Sequence, residues 1–429
     1  MTDSQRLRIL IVTPSLPYPL IWGFGIRVYQ IIKFLAQRHD VTVLAYAGPR
    51  DQESVDALRA TGAAIHAVVR GEPSTAAKRQ AQLTSLFSPA SFQWQSLESA
   101  AMQATLDRVL AQADFDVIQV ESSQMAGFTF NSPAVFLVDE HNIEYELLYR
   151  TFKTERSPLR KLYNWIEYRK FRQEEQSSWK GSDGCIVTSD REELILQHHA
   201  PNTPSLVVPN GVDVDFFQPS PATVDPNSIV FVGVMHYRPN VDAAMYFSRE
   251  ILPLLIRERP NIKFTIVGGG PPEELRRLVG KNIEVTGRVP DTRPYVSSSG
   301  ACVVPLRMGS GTRLKVLEGL AMGRPLVSTS LGCEGIETIN GEHLLVADEP
   351  AAFARSVLRI LDDPALASGL ATKGRALVEA HYSWPSVLKD LESFMRQSSR
   401  RLGGLPGGKG HRAGGTRERM RRVLPPLAS

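Results

Sequence analysis

The sequence predicts an α/β fold of two doubly wound domains that face each other across a cleft. The chain has 429 residues, which is too long for one ordinary hydrophobic core. Short apolar runs alternate with helical patterns throughout, as is typical of parallel α/β sheets. A Pro- and Ser-rich stretch at residues 218–227 separates two such series. Ligands bind such sheets at the carboxyl ends of strands, so a cleft would bring two such edges together.

Each half is predicted to contain six strands, because each apolar run has the length of a strand and is mostly followed by a longer helical pattern. The predicted strands of the first half are 8–13, 41–46, 64–69, 116–120, 134–138 and 184–188. Those of the second half are 229–233, 263–268, 283–286, 301–305, 326–328 and 343–346. Residues 70–97 are polar and predicted to be irregular, and residues 384–395 form a terminal helix.

The composition is that of a soluble globular protein, with 42% hydrophobic and 22% charged residues. The three cysteines are far apart and no Cys-x-x-Cys occurs, which argues against a disulfide framework and a structural zinc site. No signal-peptide core precedes the first strand, and no apolar stretch reaches the roughly 18 residues of a spanning helix. We therefore expect a protein of the reducing cytoplasm.

The formal net charge of +4 originates in the C-terminal tail. From Arg400 onward there are eight Lys or Arg and one acid, so the tail carries +7 and the rest of the chain −3. The net positive charge therefore does not indicate that the folded part binds nucleic acid. The Gly-rich tail is predicted to be disordered. It could contact anionic lipid or an acidic partner, although an inert extension is the commoner case.

Residues 309–325, GSGTRLKVLEGLAMGRP, have the features of a nucleotide site that opens a helix. Gly309 and Gly311 let the backbone approach a ligand, and the N–H groups at the helix start favour an anion. Arg313 and Lys315 add positive charge, and Glu318 has two oxygens that could accept from a pair of ribose hydroxyls. The alternative is a Gly-capped core helix with solvated charges.

This segment resembles the donor-site signature of the group 1 (family 4) glycosyltransferases, which have the two-domain GT-B fold. A subgroup pattern, Gly-Ser-Gly-x-Arg-Leu-Lys-x-x-Glu, matches residues 309–318. The commoner family pattern has two glutamates eight residues apart. Glu318 occupies the second of these positions, and Ser310 stands at the first. The resemblance extends over roughly residues 8–396.

The resemblance implies GT-B architecture with two Rossmann-like domains. Residues 1–218 would form an acceptor-side domain, and residues 219–382 would form the nucleotide-sugar donor domain. Residues 383–398 would contain a C-terminal helix that crosses back to the first domain. Residues 399–429 would form the disordered basic tail.

Arg238 is a second candidate residue, because it lies on the loop after a predicted strand that ends at Gly233. A guanidinium there could hold two pyrophosphate oxygens. The resemblance implies that Arg238 and Lys315 neutralise the departing diphosphate. Family members commonly have a lysine five residues after this arginine, where this chain has Ala243. A solvated loop charge is the alternative for Arg238. Asn240 is predicted to cap the next helix.

His141 follows a buried predicted strand, so its side chain is expected to point into the cleft. The family has a histidine in the matching loop, close to the reacting sugar and the acceptor. The resemblance therefore implies that His141 positions these groups. A structural histidine is the alternative.

The loop after the first strand contains Gly23-Phe24-Gly25, where family members usually have adjacent glycines. The resemblance places this loop near the diphosphate and the acceptor pocket, so Gly23 and Gly25 are expected to contact the donor. A phenylalanine ring intrudes between them. Arg27, on the first helical turn, belongs to this site or is a surface charge.

Two further patterns allow more than one interpretation. Asp213-Val214-Asp215 has the Asp-x-Asp form of a metal site found in another glycosyltransferase fold, but here it lies in a turn, so no metal is expected. Residues 159–179 form a helix that is basic on one side. This helix rests on a membrane surface or, as is commoner, packs Leu162, Ile166 and Phe171 into its own domain.

The sequence therefore predicts a retaining, metal-independent glycosyltransferase without a cofactor. It would move a sugar from a nucleotide-sugar donor to a glycan or lipid-linked saccharide, with possible peripheral contact to the inner membrane face. Backbone N–H groups of Gly311 and Thr312 would help the cations to stabilise the leaving diphosphate. The alternatives are an epimerase or phosphorylase on the same fold, and a non-catalytic sugar-nucleotide-binding subunit.

Overall fold

The computed structural model describes residues 5–20, 22–71, 74–309 and 313–403. The predicted basic tail beyond residue 403 and the predicted donor-binding residues Gly311 and Thr312 lie outside the described residues. The chain forms two units. One contains the residues up to Val208 together with those from Leu388 onward, and the other contains Pro209–Val387.

The first unit contains a seven-stranded sheet whose neighbouring strands are all parallel, in the order β3-β2-β1-β4-β5-β6-β7. The strands are β1 (Arg8–Thr13), β2 (Asp40–Ala47), β3 (Ala64–Val69), β4 (Val117–Glu121), β5 (Val135–Glu140), β6 (Gly184–Val187) and β7 (Ser205–Val207). The six predicted strands are confirmed. Strand β7 was missed, because it is a three-residue edge strand that runs directly into Val208-Pro209.

Helices surround the sheet of the first unit. Most of them bury apolar side chains, whereas the helix Thr75–Ser85 buries only Ser85. The helices are α1 (Gly23–Ala36), α2 (Gln52–Arg59), α3 (Thr75–Ser85), α4 (Phe92–Leu97), α5 (Ala100–Gln112), α6 (Glu144–Thr154), α7 (Pro158–Gly181) and α8 (Asp190–His199). The prediction of an irregular segment at residues 70–97 was wrong, since α3 and α4 lie there. The hydroxyls of Ser74 and Ser91 begin these two helices by accepting from Ala77 N and Trp94 N.

The second unit contains a six-stranded parallel sheet in the order β10-β9-β8-β11-β12-β13. The strands are β8 (Asp225–Val232), β9 (Lys263–Val267), β10 (Ile283–Gly287), β11 (Ser299–Val304), β12 (Leu326–Ser328) and β13 (Leu345–Val346). The helices are α9 (Arg238–Tyr246), α10 (Leu252–Glu258), α11 (Glu273–Arg276), α12 (Arg293–Ser297), α13 (Leu314–Ala321), α14 (Pro350–Asp362), α15 (Pro364–His381) and α16 (Trp384–Val387). All six predicted strands are present.

The second unit begins ten residues before the boundary that the sequence analysis placed after Gln218. Val212 explains the difference, because its N–H donates to Tyr382 O over 2.8 Å and its side chain belongs to the hydrophobic core of this unit. Asp213 Oδ1 accepts from the N–H groups of Asp215 and Phe216, so this carboxylate stabilises a turn.

The last helix, α17 (Leu391–Gly403), belongs to the first unit. Leu391 and Met395 are fully buried, and a Cβ at Gly184 of β6 would lie only 2.8 Å from Phe394 Cζ. Arg396 donates to Gln5 O at the start of the chain. The prediction that the chain returns to the first domain is therefore confirmed. Within the described residues, none of the helices is long and apolar enough to span a membrane.

Met395→Ala is expected to destabilise the first unit by about 2–5 kcal/mol, because it leaves a cavity where α17 is fully buried. The melting temperature should fall by roughly 5–15 °C in a thermal scan followed by circular dichroism. Gln397→Ala, on the exposed side of the same helix, is the matched control and should melt like the parent protein. Equal melting temperatures for all three proteins would contradict the packing of α17.

Candidate active site

The strand order of the second unit reverses between β8 and β11, and the loops after these two strands carry the predicted donor-binding residues. Lys315, on the first turn of α13, reaches the end of β8, where its Nζ donates to Asn240 Oδ1 over 2.6 Å. Asn240 Nδ2 in turn donates to Val234 O. The Lys315 ammonium also lies 4.5 Å from the centroid of the Phe231 ring. These contacts fix one cation at the topological switch point of the sheet, where the strand order reverses between β8 and β11.

Gly233 makes this position of Lys315 possible. A Cβ at residue 233 would lie 2.8 Å from Lys315 Nζ and 2.7 Å from Asn240 Nδ2, closer than real Cβ atoms come. The glycine is therefore required by the close approach of the two side chains. Asn240 was predicted to cap α9, and this was wrong, because the helix begins at Arg238 after Tyr237. The amide instead holds the lysine.

Glu318 lies one turn beyond Lys315 on α13, and both side chains line a small cavity of about 20 Å³ behind β8 and β11. Burial raises the pKa of Glu318 to about 7, and the positive charge of Lys315 opposes the shift. Burial lowers the pKa of Lys315 to about 7, and the Glu318 carboxylate opposes that shift. Each charge is therefore poorly solvated, which strengthens its interaction with an incoming charged group.

Arg313 immediately precedes α13, and its side chain is mostly buried. Gly309 has a φ of +125°, a backbone conformation that favours glycine, and a Cβ there would lie 3.4 Å from Arg313 Nη2. The guanidinium thus lies over the bare backbone of Gly309, beside Pro239. The alternative of a Gly-capped helix with solvated charges was therefore wrong for Arg313, because this side chain is mostly buried.

Arg238 is the first residue of α9, and its side chain is exposed. The described residues give it no carboxylate partner within ion-pair distance. It therefore remains available to an anion at the same end of β8 as Gly233 and Lys315. The structure thus brings Gly233, Arg238, Arg313, Lys315 and Glu318 to one edge of the second sheet.

His141 follows β5 at the corresponding edge of the first sheet. Its Nε2 lies 2.8 Å from Glu121 Oε2, and Gln119 Nε2 donates to the other oxygen of Glu121 over 2.8 Å. Burial, followed by the charge of Asp139, raises the pKa of Glu121, while the contact with His141 opposes the shift. The imidazole is thus held at Nε2. Among the described residues no hydrogen bond to its Nδ1 is found, so this nitrogen could contact a ligand.

Glu121 was not predicted as a site residue, although its position at the end of a strand is a relevant feature. Glu121 is the last residue of β4, and β4 pairs in parallel with β5 so that Glu121 lies opposite Asp139. The carboxyl ends of neighbouring parallel strands meet at one edge, so a polar strand end next to His141 could have been considered. The strand order needed for that step is not contained in the local sequence pattern.

Arg27 is buried, with 1% of its side chain exposed, so the surface-charge alternative was wrong. Its Nη2 donates to both Asp139 oxygens over 3.0 and 3.3 Å, and its Nη1 donates to Val208 O over 2.7 Å. Helix α1, the end of β5 and the end of the segment after β7 are therefore joined through one guanidinium.

The loop that precedes Arg27 is also part of this edge. Gly23 begins α1 and is exposed, whereas Gly25 is buried against the indole of Trp22. The ring of Phe24 lies 4.6 Å from the His141 imidazole, centroid to centroid. The phenylalanine between the two glycines therefore packs on the candidate histidine.

Glu121, Asp139 and His141 form a group whose ligand atoms all lie within 4.8 Å of one another, so these residues could hold a cation. Asp139 already accepts two hydrogen bonds from Arg27, and Glu121 accepts from Gln119. A metal ion would have to compete with a buried guanidinium for the same oxygens. The donor set therefore suits a hydrogen-bonded cluster better than a metal centre.

Other buried acids near this edge stabilise the backbone. Glu140 accepts from Trp179 Nε1 over 2.7 Å, and burial raises the pKa of Glu140 to about 8. Glu175 accepts from the N–H groups of Glu144 and Tyr145 and thereby caps α6. Burial raises the pKa of Glu175 well above its usual value.

Comparison with known proteins identifies relatives along most of the chain. A family model described as Glycosyltransferase Family 4 matches residues 22–216, and one described as Glycosyl transferases group 1 matches residues 226–363. An uncharacterized 44.6 kDa protein from the cps region of Klebsiella pneumoniae is 22% identical over 404 residues, which cover 90% of this chain and 98% of that protein.

Two further relatives have informative names. The phosphatidyl-myo-inositol mannosyltransferase of Mycobacterium tuberculosis is 27% identical over 224 residues, which cover 48% of this chain and 58% of that protein. The chain thus spans less than two thirds of this relative. The solved structure of Anabaena HepE in complex with UDP is 12% identical and has a TM-score of 0.63, with 91% of this chain and 100% of that chain covered. At this identity the likeness concerns the fold.

Gly233→Ala is expected to weaken binding of a nucleoside diphosphate about ten- to hundredfold, because the new methyl group displaces Lys315 and a charge-assisted hydrogen bond is worth roughly 1.5–3 kcal/mol. Isothermal titration calorimetry measures the change. Gly369→Ala, whose Cβ would meet nothing within 4 Å, is the control in the same unit and should bind normally. Unchanged affinity in Gly233→Ala would show that Lys315 does not contact the ligand.

Proposed function

The chain is a group 1 (family 4) glycosyltransferase with the GT-B fold, and from this premise we propose that it uses a nucleotide-sugar donor by a retaining, metal-independent reaction. The acceptor we propose is a glycan or a lipid-linked saccharide. The observation that carries the proposal is the position of Lys315, which Gly233 and Asn240 hold at the switch point of the second sheet.

The main chemical demand in this reaction is the negative charge that develops on the diphosphate as the bond to the sugar breaks. Lys315 and Arg313 are largely removed from water, so their attraction for that charge is stronger than that of solvated cations. Arg238 adds an exposed guanidinium at the first turn of α9. Glu318, on the same helix as Lys315, would accept hydrogen bonds from the ribose diol.

His141 is proposed to position the donor sugar and the acceptor hydroxyl. Its Nε2 is held by Glu121 and its ring is packed on Phe24, so the orientation of Nδ1 is fixed before a ligand binds. A fixed imidazole contributes to catalysis by orientation as well as by proton transfer. Gly23 and Gly25 flank Phe24 on the first turn of α1.

The class of the donor and the acceptor is supported by the relatives. Anabaena HepE was crystallised with UDP, and the Mycobacterium tuberculosis relative is named as a mannosyltransferase of phosphatidyl-myo-inositol. We propose a nucleoside diphosphate sugar and an acceptor that is presented at the cytoplasmic membrane face. Two sequence features, Ser310 and Ala243, stand where the family commonly has a glutamate and a lysine, and they support the alternative of a non-catalytic sugar-nucleotide-binding subunit.

Lys315→Ala is expected to lower turnover by orders of magnitude, because it removes the cation nearest to the end of β8. Transfer and donor hydrolysis are followed by release of the nucleoside diphosphate, after thermal-shift screening of nucleotide sugars has identified the donor. Activity should survive EDTA and should not need an added divalent ion. Lys263→Ala, at the exposed amino-terminal end of β9, is the control and should keep full activity.

Four results would count against the assignment. A mild effect of Lys315→Ala on both transfer and hydrolysis would remove Lys315 from catalysis. Nucleotide binding without turnover on any acceptor would favour the non-catalytic subunit, and conversion of the donor without an acceptor would favour an epimerase. Loss of activity in EDTA with recovery in Mg²⁺ would contradict metal independence and would direct attention to Glu121, Asp139 and His141.

The pH dependence of nucleotide binding tests the charge of Lys315 directly. Because the pKa of Lys315 in the unliganded protein is lowered to about 7, the ammonium is present below that pH and is lost as the pH rises. Affinity for the nucleoside diphosphate should therefore fall between pH 7 and 9, by up to about tenfold per pH unit. In Lys315→Arg the guanidinium stays charged, so the fall should become smaller and keep only the part that comes from ionisation of Glu318, whose pKa is raised to about 7. A parent protein whose affinity is constant from pH 7 to 9 would contradict the lowered pKa.

A further inference from the structure

We propose that one face of the first unit, formed by α3, α6 and α7, docks on an anionic phospholipid bilayer. This basic aromatic face consists of exposed apolar side chains with Lys and Arg between them. The apolar members are Leu83, Phe87, Tyr149, Leu159, Leu162 and Trp165, and the cations are Lys78, Arg79, Lys153, Lys161 and Arg169. This inference rests on the proposed function, in which the acceptor is presented at a membrane. It identifies the surface that would contact that membrane.

Helix α7 forms the centre of the face. Leu159, Leu162 and Trp165 are spaced three residues apart, so they project from adjoining positions on one side of the helix. Their exposed fractions are 82%, 56% and 42%. The opposite side is buried and contains Phe171 and Glu175. The expectation that Leu162 packs into its own domain was wrong, because the helix uses that other side for packing.

The C-terminal end of α3 contacts α7. Lys170 Nζ donates to Ser85 O over 2.6 Å, and Ser85 Oγ donates to Glu167 Oε1 over 3.0 Å, so the end of α3 is fixed to the middle of α7. Leu83 on α3 and Phe87 just after it are exposed to 66% and 92%. Two exposed apolar side chains therefore lie next to a helix end that is anchored on α7.

Helix α6 also packs on α7, and cations lie close to aromatic rings on both helices. Tyr149 lies 5.2 Å from Tyr168 of α7, which fixes α6 to the central helix. Lys153 lies 5.3 Å from the centroid of the Tyr149 ring, and Arg169 lies 5.7 Å from that of Trp165. Positive charges and aromatic rings therefore share the outward surface of both helices.

The charge of the face is positive, because cations outnumber acids in its segments and most of these acids bond to residues elsewhere in the unit. Residues 74–88 contain two cations and no acid, and residues 144–181 contain nine cations and six acids. Among these acids, Glu167, Glu174 and Glu175 accept hydrogen bonds from residues 85–92 or from the start of α6. Glu146 is paired with Arg191. The cations remain to attract an anionic surface.

The combination identifies the partner as lipid. Interfacial helices insert leucine and tryptophan side chains into the boundary between headgroups and acyl chains, and they have Lys and Arg beside these side chains. Anionic headgroups then interact with the cations, at about 1 kcal/mol for each one near the surface. The apolar tips are exposed and have cations close by in the sequence, so they suit a deformable bilayer with anionic headgroups.

The test is flotation of the full-length protein with vesicles, without nucleotide or acceptor. The parent protein should bind vesicles of phosphatidylcholine with 30% phosphatidylglycerol and should not bind pure phosphatidylcholine. The triple variant Leu159→Ser, Leu162→Ser and Trp165→Ser should reduce the bound fraction about tenfold or more. These substitutions lie on the exposed side of α7, so the melting temperature should be unchanged.

Two control variants separate this face from other sources of binding. Leu194→Ser, Val279→Ser and Ile339→Ser remove equally exposed apolar side chains elsewhere and should leave vesicle binding intact. Arg417, Arg419, Arg421 and Arg422 changed to Gln remove most of the tail charge and should also leave it intact. Normal nucleotide binding in the α7 variant would show that any loss concerns the membrane and not the donor site.

Several outcomes would overturn the proposal. Vesicle binding equal to the parent in the α7 variant would exclude this face as the contact. Loss of binding in the tail variant alone would assign the contact to the tail. A parent dimer that dissociates in the α7 variant, together with no vesicle binding by the parent, would identify the face as an interface between two copies.

Discussion

The constraint on which the site depends is the direction of the strands. In each unit every strand pairs in parallel with its neighbours, and the strand order reverses beside the first strand, between β1 and β4 and between β8 and β11. The chain must therefore leave the sheet at one edge through loops that diverge to opposite sides, which opens a place for a ligand. All described candidate residues follow strands at or beside these reversals: Gly23, Gly25, Arg27, Glu121, His141, Gly233, Arg238, Arg313, Lys315 and Glu318.

The buried ion pair of Arg27 and Asp139 fixes the position of α1 relative to β5. Removing two charges from water costs several kcal/mol for each ion, and the attraction between them offsets this only when the remaining hydrogen bonds are made. Here Arg27 also donates to Val208 O. Because breaking such a pair costs about 3–5 kcal/mol, α1 cannot shift along β5 without a large loss of stability. Phe24 lies on the first turn of α1, so the same restriction fixes its ring against His141.

The sequence alone could predict the elements whose signals are local. The strands, and the glycine, lysine and glutamate around α13, follow from apolar runs and from a motif within a few residues. Glu121 and Asn240 could not be found in this way, because their partners His141 and Lys315 are 20 and 75 residues away. Leu162 was misassigned for a related reason: helical spacing identifies two candidate sides of α7, and only its packing on α6 and the rest of the first unit decides which side is buried.

Asn240 holds a cation at this edge, although the chain has Ala243 where family members commonly have a lysine. Ala243 is fully buried in the core of the second unit, so a cation there would have to be accommodated without solvent. Asn240, about one turn earlier on α9, instead uses its amide oxygen to hold the lysine of α13. Burial disfavours the charge of Lys315, and one amide and one ring restore only part of the lost solvation. Under the proposed function, a diphosphate would add negative charge beside the Glu318 carboxylate, and more charge would develop on it as the sugar departs. The cation would then be stabilised most in the transition state, which is the condition for catalysis rather than for tight binding alone.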